Sequence, residues 1–248
     1  MTVMVTGASG NVGSAVVRAL RSRGVEVRVR GERLEGCDAL FLSSADWPGK
    51  VEFETATIDA AEAAGVRLIV KASTPAAQAG SPLPPFDWHG RIEAHLRASG
   101  VPWVLLHSGF YMTNVAMTVR GGAVVAPAGR GAVAMIDPAD VGEVGAAALV
   151  GEARDVVYEL TGPEAITYAD AAAALGLPYV DAPPDAARAG MAAAGLPDWL
   201  VTHLDGVFAA IRAGELARVT DTVAEVLGRP ARSFRAFARE FSPAMSAG

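Results

Sequence analysis

Val3-Met4-Val5-Thr6-Gly7-Ala8-Ser9-Gly10-Asn11-Val12-Gly13-Ser14-Ala15-Val16-Val17-Arg18-Ala19-Leu20 decides the fold of this chain. The apolar residues at its start read as a short buried strand. Val12, Ala15, Val16, Ala19 and Leu20 then recur at the spacing of one helix face. Between them lies Thr6-Gly7-Ala8-Ser9-Gly10-Asn11-Val12-Gly13, with glycines at the first, fourth and seventh places counted from Gly7. Gly7 suits the tight turn, Gly10 leaves room for backbone to approach a pyrophosphate, and Gly13 permits close helix packing. The helix start adds free N–H groups and the positive end of its dipole. The stretch therefore suits a dinucleotide, with Gly7, Ser9, Gly10, Asn11, Val12 and Gly13 as candidate contacts.

Working outward, the same alternation continues. Val25 to Arg30, Asp38 to Ser44, Val66 to Ala72, Trp103 to His107 and Val156 to Leu160 read as strands. Val51 to Ala64, the segment carrying Trp88, Ile92 and Leu96, and Asp140 to Leu149 read as helices. This order predicts a doubly wound parallel α/β sheet of the Rossmann type. Ala123 to Ala126 and Ala132 to Ile136 are expected to pair as a hairpin across Gly129-Arg130-Gly131. Thr167-Tyr168-Ala169-Asp170 has the form of a capping box opening an alanine-rich helix. The expected organisation is a nucleotide-binding core over 1–120 and a small C-terminal α+β lobe over 121–248, with 132–160 partly returning to the core.

Composition narrows the class. With 51% hydrophobic and 19% charged residues in 248, the chain can bury a large core and is not a disordered protein. No apolar run reaches the ~18 residues of a membrane span. The first residues enter a strand without the pattern of a signal peptide, so a cytoplasmic location is expected. A lone Cys37 excludes an intramolecular disulfide and a cysteine-based metal cluster, and the histidines have no ligand spacing, so no metal is expected. The net charge of -6 argues against nucleic acid as a partner. Lys50 and Lys71 are the two lysines; every other base is arginine.

The cofactor type is read about 20 residues past the turn, where a carboxylate favours NAD and arginine the 2′-phosphate of NADP. The chain has Arg28, Arg30 and Arg33 there, against Glu32. Paired guanidinium donors suit phosphate and tilt the choice to NADPH, while Glu32 keeps NAD open.

These residues resemble the NmrA-like branch of atypical short-chain dehydrogenases/reductases, which includes NAD(P)H-dependent quinone and azo-dye reductases and redox-sensing regulators. The resemblance rests on TGASGNVG (Thr6 to Gly13), LEGCDALFLSS (Leu34 to Ser44), AAGVRLIVKAS (Ala63 to Ser73), WHGRIEAHLRASGVPWVLLHSGFYMTN (Trp88 to Asn114), YELTGPEAITYAD (Tyr158 to Asp170) and GRPARSFRAFARE (Gly228 to Glu240). It implies a C-terminal lobe that closes over the nicotinamide end of the cofactor. Two departures stand out. Arg30-Gly31-Glu32-Arg33 runs almost directly into Leu34, so the sheet is expected to lack one strand on the adenine side. His107-Ser108-Gly109 replaces the usual Arg-Pro-Gly, exchanging a fixed charge for a titratable one.

Ordinary short-chain dehydrogenases carry Tyr and Lys four residues apart; here Val115, Gly162, Ala172 and Pro183 follow Tyr111, Tyr158, Tyr168 and Tyr179 at that distance. His89 and Glu93 hold that spacing instead and resemble the family's His and Glu pair. His89 is the candidate acid, with Glu93 holding or polarising it. The resemblance places Ser73 on the substrate side. Lys71, at a strand's C-terminal end, is a candidate for the cofactor ribose or a developing oxyanion, and Ser43 and Ser44 are candidates for the ribose. Phe110, Tyr111, Met112 and Asn114, with His107, are candidate substrate residues suited to a flat apolar molecule.

The expected activity is NADPH-dependent reduction of a carbonyl or quinone in such a small molecule, as in natural-product biosynthesis, by a monomer or homodimer. Two alternatives share the fold: a non-catalytic NAD(P)-sensing regulator, and a cofactor-independent isomerase or cyclase.

Overall fold

The computed structural model describes residues 1–29 and 33–245. In chain order the elements are β1 (Thr2–Val5), α1 (Asn11–Ser22), β2 (Glu26–Val29), β3 (Ala39–Leu42), α2 (Lys50–Ala63), β4 (Ile69–Ser73), α3 (Pro84–Ala98) and β5 (Trp103–Ser108). A 3-10 turn (Met112–Thr118), β6 (Val119–Arg120), β7 (Ala123–Ala126), β8 (Ala132–Val133), α4 (Pro138–Val150), β9 (Val156–Leu160) and β10 (Ile166–Thr167) follow. The chain continues through α5 (Tyr168–Ala174), β11 (Tyr179–Asp181), α6 (Pro184–Ala193), α7 (Asp198–Ala213), α8 (Thr222–Leu227) and α9 (Phe234–Met245). Two compact units result: Met1–Ser108 with Pro138–Leu160 and Thr222–Arg229, and Gly109–Asp137 with Thr161–Asp221 and Pro230–Gly248.

The first unit holds a six-stranded sheet in the order β2-β1-β3-β4-β5-β9, parallel throughout. No strand lies between β2 and β3 among the described residues, in keeping with the shortened sequence there. The chain steps from β1 outward to β2, then back across β1 to β3. Direction of winding therefore reverses at β1 and β3, and their C-terminal ends flank the crevice where open α/β sheets bind ligands.

Parallel strands covered on both faces should be apolar throughout, and Ala39, Leu40, Phe41 and Leu42 of β3 are all buried. α1 and α4 pack together, and α2 packs with α3. The α1–α4 contact is close because residue 142 is glycine: a Cβ there would come within 2.4 Å of that of Ala15. The expected stripe on α3 is in place, with Trp88, Ile92 and Leu96 buried.

In the second unit the predicted capping box is formed. Thr167 Oγ1 accepts from Asp170 N–H at 3.1 Å, and Asp170 Oδ2 accepts from Thr167 N–H at 2.9 Å. The predicted hairpin is not. β7 pairs with β6 and β11, whereas β8 pairs with β10 in a separate sheet. The glycine turn between them exists, with Gly129 at φ 59°. Both edges of β7 are taken by other strands, and β8 finds its partner elsewhere. Among the described residues no helix is long and apolar enough to cross a membrane.

Candidate active site

The glycine turn has the geometry its residues predict. Gly7 is left-handed at φ 63°, and its carbonyl accepts from Gly10 N–H at 2.9 Å. A Cβ at residue 13 would lie 2.1 Å from that carbonyl, so only glycine lets α1 begin this close to the turn. Thr6 ties the turn to β3: its hydroxyl donates to Ser43 O at 2.9 Å and accepts from Ser43 N–H at 2.8 Å. Ser9, Gly10 and Asn11 are exposed, and Val12 and Gly13 are buried behind them. No side chain caps α1, and its first turn carries no acidic residue. An acid-free, glycine-lined helix start at the switch of winding fits a pyrophosphate, whose charge its backbone N–H groups satisfy.

At the end of β2, Arg28 donates to the carbonyls of Glu35 at 2.9 Å and Arg33 at 3.2 Å. Arg33 is exposed, its guanidinium forked onto Glu35 at 2.9 and 3.2 Å. Arg30, the third candidate for the 2′-phosphate, lies outside the described residues.

The chemistry-bearing side chains gather at the C-terminal ends of β4 and β5. Alternation along β4 turns Lys71 and Ser73 to the same face. The parallel register sets Ser73 beside His107. α2 brings Lys50 and Glu54 to this group, one turn apart, and α3 brings His89, Glu93 and Arg97 at the same interval. Lys71 Nζ donates to Glu54 Oε2 at 2.6 Å, to Ala72 O at 3.1 Å and to His89 Nδ1 at 3.3 Å. Lys50 Nζ donates to Glu54 Oε1 at 2.8 Å and to Ser44 O and Oγ at 3.1 Å each. Ser44 Oγ in turn donates to Glu54 Oε1 at 2.5 Å. Burial pushes the Glu54 carboxyl up, but the Lys71 and Lys50 ammoniums outweigh it and hold the group down at about 2. Burial pulls the Lys71 ammonium down against the stabilising charge of Glu54.

Ser73 Oγ donates to Glu93 Oε1 at 2.5 Å and lies 3.3 Å from His89 Nδ1. His107 Nε2 is 2.8 Å from the same Glu93 oxygen, and Arg97 donates to Oε2 at 3.2 Å. Burial raises the Glu93 carboxyl, but the bonds from His107 and Ser73 win, and it stays below the ordinary carboxylate range. His89, 12% exposed, turns Nε2 toward the half-open Asp46, with Oδ1 3.6 Å away. Burial first, and the Lys71 charge next, lower its pKa to about 4, so the ring is neutral at pH 7.

His89, Ser73 and Lys71 are thus brought together, but with roles unlike those expected. Lys71 is wholly enclosed and its three protons are committed within the protein, so the expected contact with a ribose or oxyanion does not fit its geometry. Glu93 reaches His89 through Ser73, because the Ser73 hydroxyl sits between the two. The Ser44 hydroxyl turns inward to Glu54, away from the expected ribose contact, and His107 turns to Glu93. Phe110, Tyr111, Met112 and Asn114 belong to the second unit. There Met112 is buried, its N–H bonded to Ile136 O at 2.9 Å, and Phe110 meets Tyr168 edge-on at 6.3 Å between ring centroids. Met112 is core rather than pocket lining. Lys50, Glu54 and Asp46 went unmarked as site residues; the scarcity of lysine and the Lys50–Glu54 spacing were their signals.

A reversal of winding at a glycine turn, with titratable groups gathered at the neighbouring strand ends, defines a dinucleotide-binding protein. An NAD(P)H-binding family model matches residues 30–151. The NAD(P)H azoreductase of Xenophilus azovorans is 31% identical, with 99% of each chain covered. The (4-alkanoyl-5-oxo-2,5-dihydrofuran-3-yl)methyl phosphate reductase of Streptomyces griseus is 33% identical over 98% of this chain and 99% of its own. Among solved structures, the NADPH-dependent quinone oxidoreductase of Escherichia coli, complexed with NADPH, superposes with a TM-score of 0.82. It is 26% identical, covering 96% of this chain and 99% of its own. The chain belongs to the NAD(P)H-binding reductase family of these relatives, its class is oxidoreductase, and it shares its fold with Nmra, a negative transcriptional regulator 17% identical to it, at a TM-score of 0.76.

Proposed function

We propose that the protein is an NADPH-dependent reductase of a carbonyl or quinone group in a flat, apolar small molecule, with His89 as the proton donor. The observation that carries this reading is the state of His89: neutral, bonded at Nδ1 to the Lys71 ammonium, and presenting Nε2 toward the partly exposed Asp46 carboxylate, 3.6 Å away, on the side from which a substrate oxygen would approach. A neutral imidazole with a protonated Nε2 donates a hydrogen bond to a substrate oxygen and releases that proton as the oxygen gains charge.

The α1 turn, Gly7 to Gly13, would hold the pyrophosphate, with Arg28 and Arg33 toward a 2′-phosphate. When bound, the reduced nicotinamide supplies a hydride. Ser73 and Glu93 position His89 rather than act on substrate, since the Ser73 proton is spent on Glu93. The NADPH complex of the Escherichia coli relative and the azo, quinone and dihydrofuranone acceptors named for relatives support both cofactor and acceptor class. Fluorescence titration with NADPH and NADH, followed by turnover with quinones and aromatic ketones, tests the reading. Tighter NADPH binding and consumption that falls in His89→Asn are expected. Absence of NADPH binding together with absence of consumption would overturn it.

A further inference from the structure

Both lysines of the chain converge on one buried carboxylate, and one of them also touches the candidate proton donor. The arrangement is costly. Lys50, Lys71 and Glu54 are each 1% exposed or less, and a buried ammonium needs a reason beyond stability, since buried ion pairs seldom outperform apolar packing. One carboxylate suffices to balance one lysine; here Glu54 meets both, with Asp46 Oδ1 3.5 Å from Lys50 Nζ as a second, more exposed counter-charge.

Protons at His89 Nδ1 can be assigned by elimination. Two groups lie within reach, Ser73 Oγ and Lys71 Nζ, each at 3.3 Å. Ser73 has one proton and it bridges to Glu93 at 2.5 Å. Lys71 has three, of which Glu54 and the Ala72 carbonyl take two, leaving the third directed at Nδ1. A proton on Nδ1 would face an ammonium N–H head-on, and the Asp46 carboxylate, 3.6 Å from Nε2, draws hydrogen to that nitrogen, so the charged lysine behind the ring and Asp46 in front of it select the same tautomer, with hydrogen on Nε2.

We propose that Lys71 is a positioning residue that fixes His89 as the Nε2–H donor and resupplies its proton from behind. This inference rests on the reductase reading for the identity of the proton acceptor. As the Nε2–H bond breaks and the proton passes to the substrate oxygen, one Nζ–H bond of Lys71 breaks and an Nδ1–H bond forms. The ring changes tautomer without becoming charged, which suits a site that resists imidazolium. The two electrons of the reduction come with the hydride of the proposed cofactor, and no other reductant is needed. Lys71 is left as a neutral amine, and Glu54 keeps its counter-charge because Lys50 remains bonded to Oε1 at 2.8 Å. The second lysine is thereby explained: it keeps the carboxylate balanced while the first gives up its proton. One proton taken up from bulk solvent then reaches Nε2 as the Nδ1 proton returns to Lys71, so the ring stays neutral and the ammonium is restored. Burial lowers the proton affinity of Lys71, which favours the transfer.

The test reads the tautomer directly, in protein free of nucleotide. In 15N NMR of histidine-labelled protein, with the His89→Asn spectrum assigning the signal, wild-type His89 is expected as a neutral ring protonated at Nε2 alone. Lys71→Met should raise the share of the Nδ1–H tautomer, further when combined with Asp46→Asn, which removes the other charge facing the ring, and should by itself lower kcat about 10²-fold with KM little changed. The double variant Lys71→Met, Glu54→Gln removes one charge of each sign, so a purely structural role would be rescued by it. Continued loss of both the tautomer and kcat in the double variant supports the relay. A double variant with the wild-type tautomer, or with restored kcat, overturns it. A locked tautomer in a protein without any NADPH turnover would defeat the reductase reading while leaving Lys71 as the group that sets the ring.

Discussion

Lowering the pH should destabilise this protein through His89. The pKa of the ring is depressed from 6.5 in the free side chain to about 4 in the folded chain. The unfolded chain therefore takes up the proton first, and between those two values it holds more protons than the folded one. Stability rises with pH across that window, is present in full above 6.5, and is lost as pH falls through about 4. At about 1.4 kcal/mol per pH unit the contribution amounts to about 3 kcal/mol, a sizeable part of the ~5–15 kcal/mol typical of a folded domain. Urea unfolding of wild type and His89→Asn over a pH series isolates it, because asparagine does not titrate and its carbonyl can still accept from Lys71. The stability difference between the two proteins should shift by about 3 kcal/mol in favour of the variant from pH 7 to pH 4. Parallel curves would refute the reasoning, since they would mean that the folded protein accepts imidazolium as readily as the unfolded chain.

Gly13→Ala must displace the turn, because its Cβ would fall 2.1 Å from the Gly7 carbonyl; NADPH affinity, read by fluorescence titration, should weaken at least about tenfold, a cost of ~1.4 kcal/mol. Arg33→Ala should weaken NADPH about tenfold and leave NADH unchanged, as expected for one charge-assisted bond to phosphate; equal loss for both nucleotides would remove Arg33 from the 2′-phosphate. The Tyr168 hydroxyl is buried with no hydrogen-bond partner among the described residues, which also drives its pKa well above the phenol range. Tyr168→Phe should therefore stabilise the protein by about 1 kcal/mol in urea unfolding, whereas a loss of stability would show that the hydroxyl is satisfied in solution.

What could be read from residues alone follows how local each device is. The turn at Gly7 to Gly13 is complete within eight residues, and its strand and helix are its immediate neighbours, so its geometry was legible. The capping box at Thr167 is likewise closed within four residues. Strand partners are a different matter. The residues of β7 and β8 suit a hairpin, and Gly129 does turn the chain, but β11, more than fifty residues on, competes for the same edge and wins. The same limit holds at the site. That His89, Ser73 and Lys71 meet follows from α/β winding, which collects strand ends. The direction of their protons depends on Glu54, whose spacing from Lys50 is also that of an ordinary solvated pair on a helix. Only the packing of α2 onto the sheet shows that both are buried.

The enclosure of both lysines has a practical consequence. Reagents that acylate ε-amines find none at the surface of the folded chain, since Lys50 is 1% exposed and Lys71 is fully covered. Their slow labelling becomes a clock for the opening of the region around Glu54, read residue by residue by mass spectrometry. A bound ligand that tightens this part of the molecule would slow that clock, so the protein carries its own two-point footprint of occupancy.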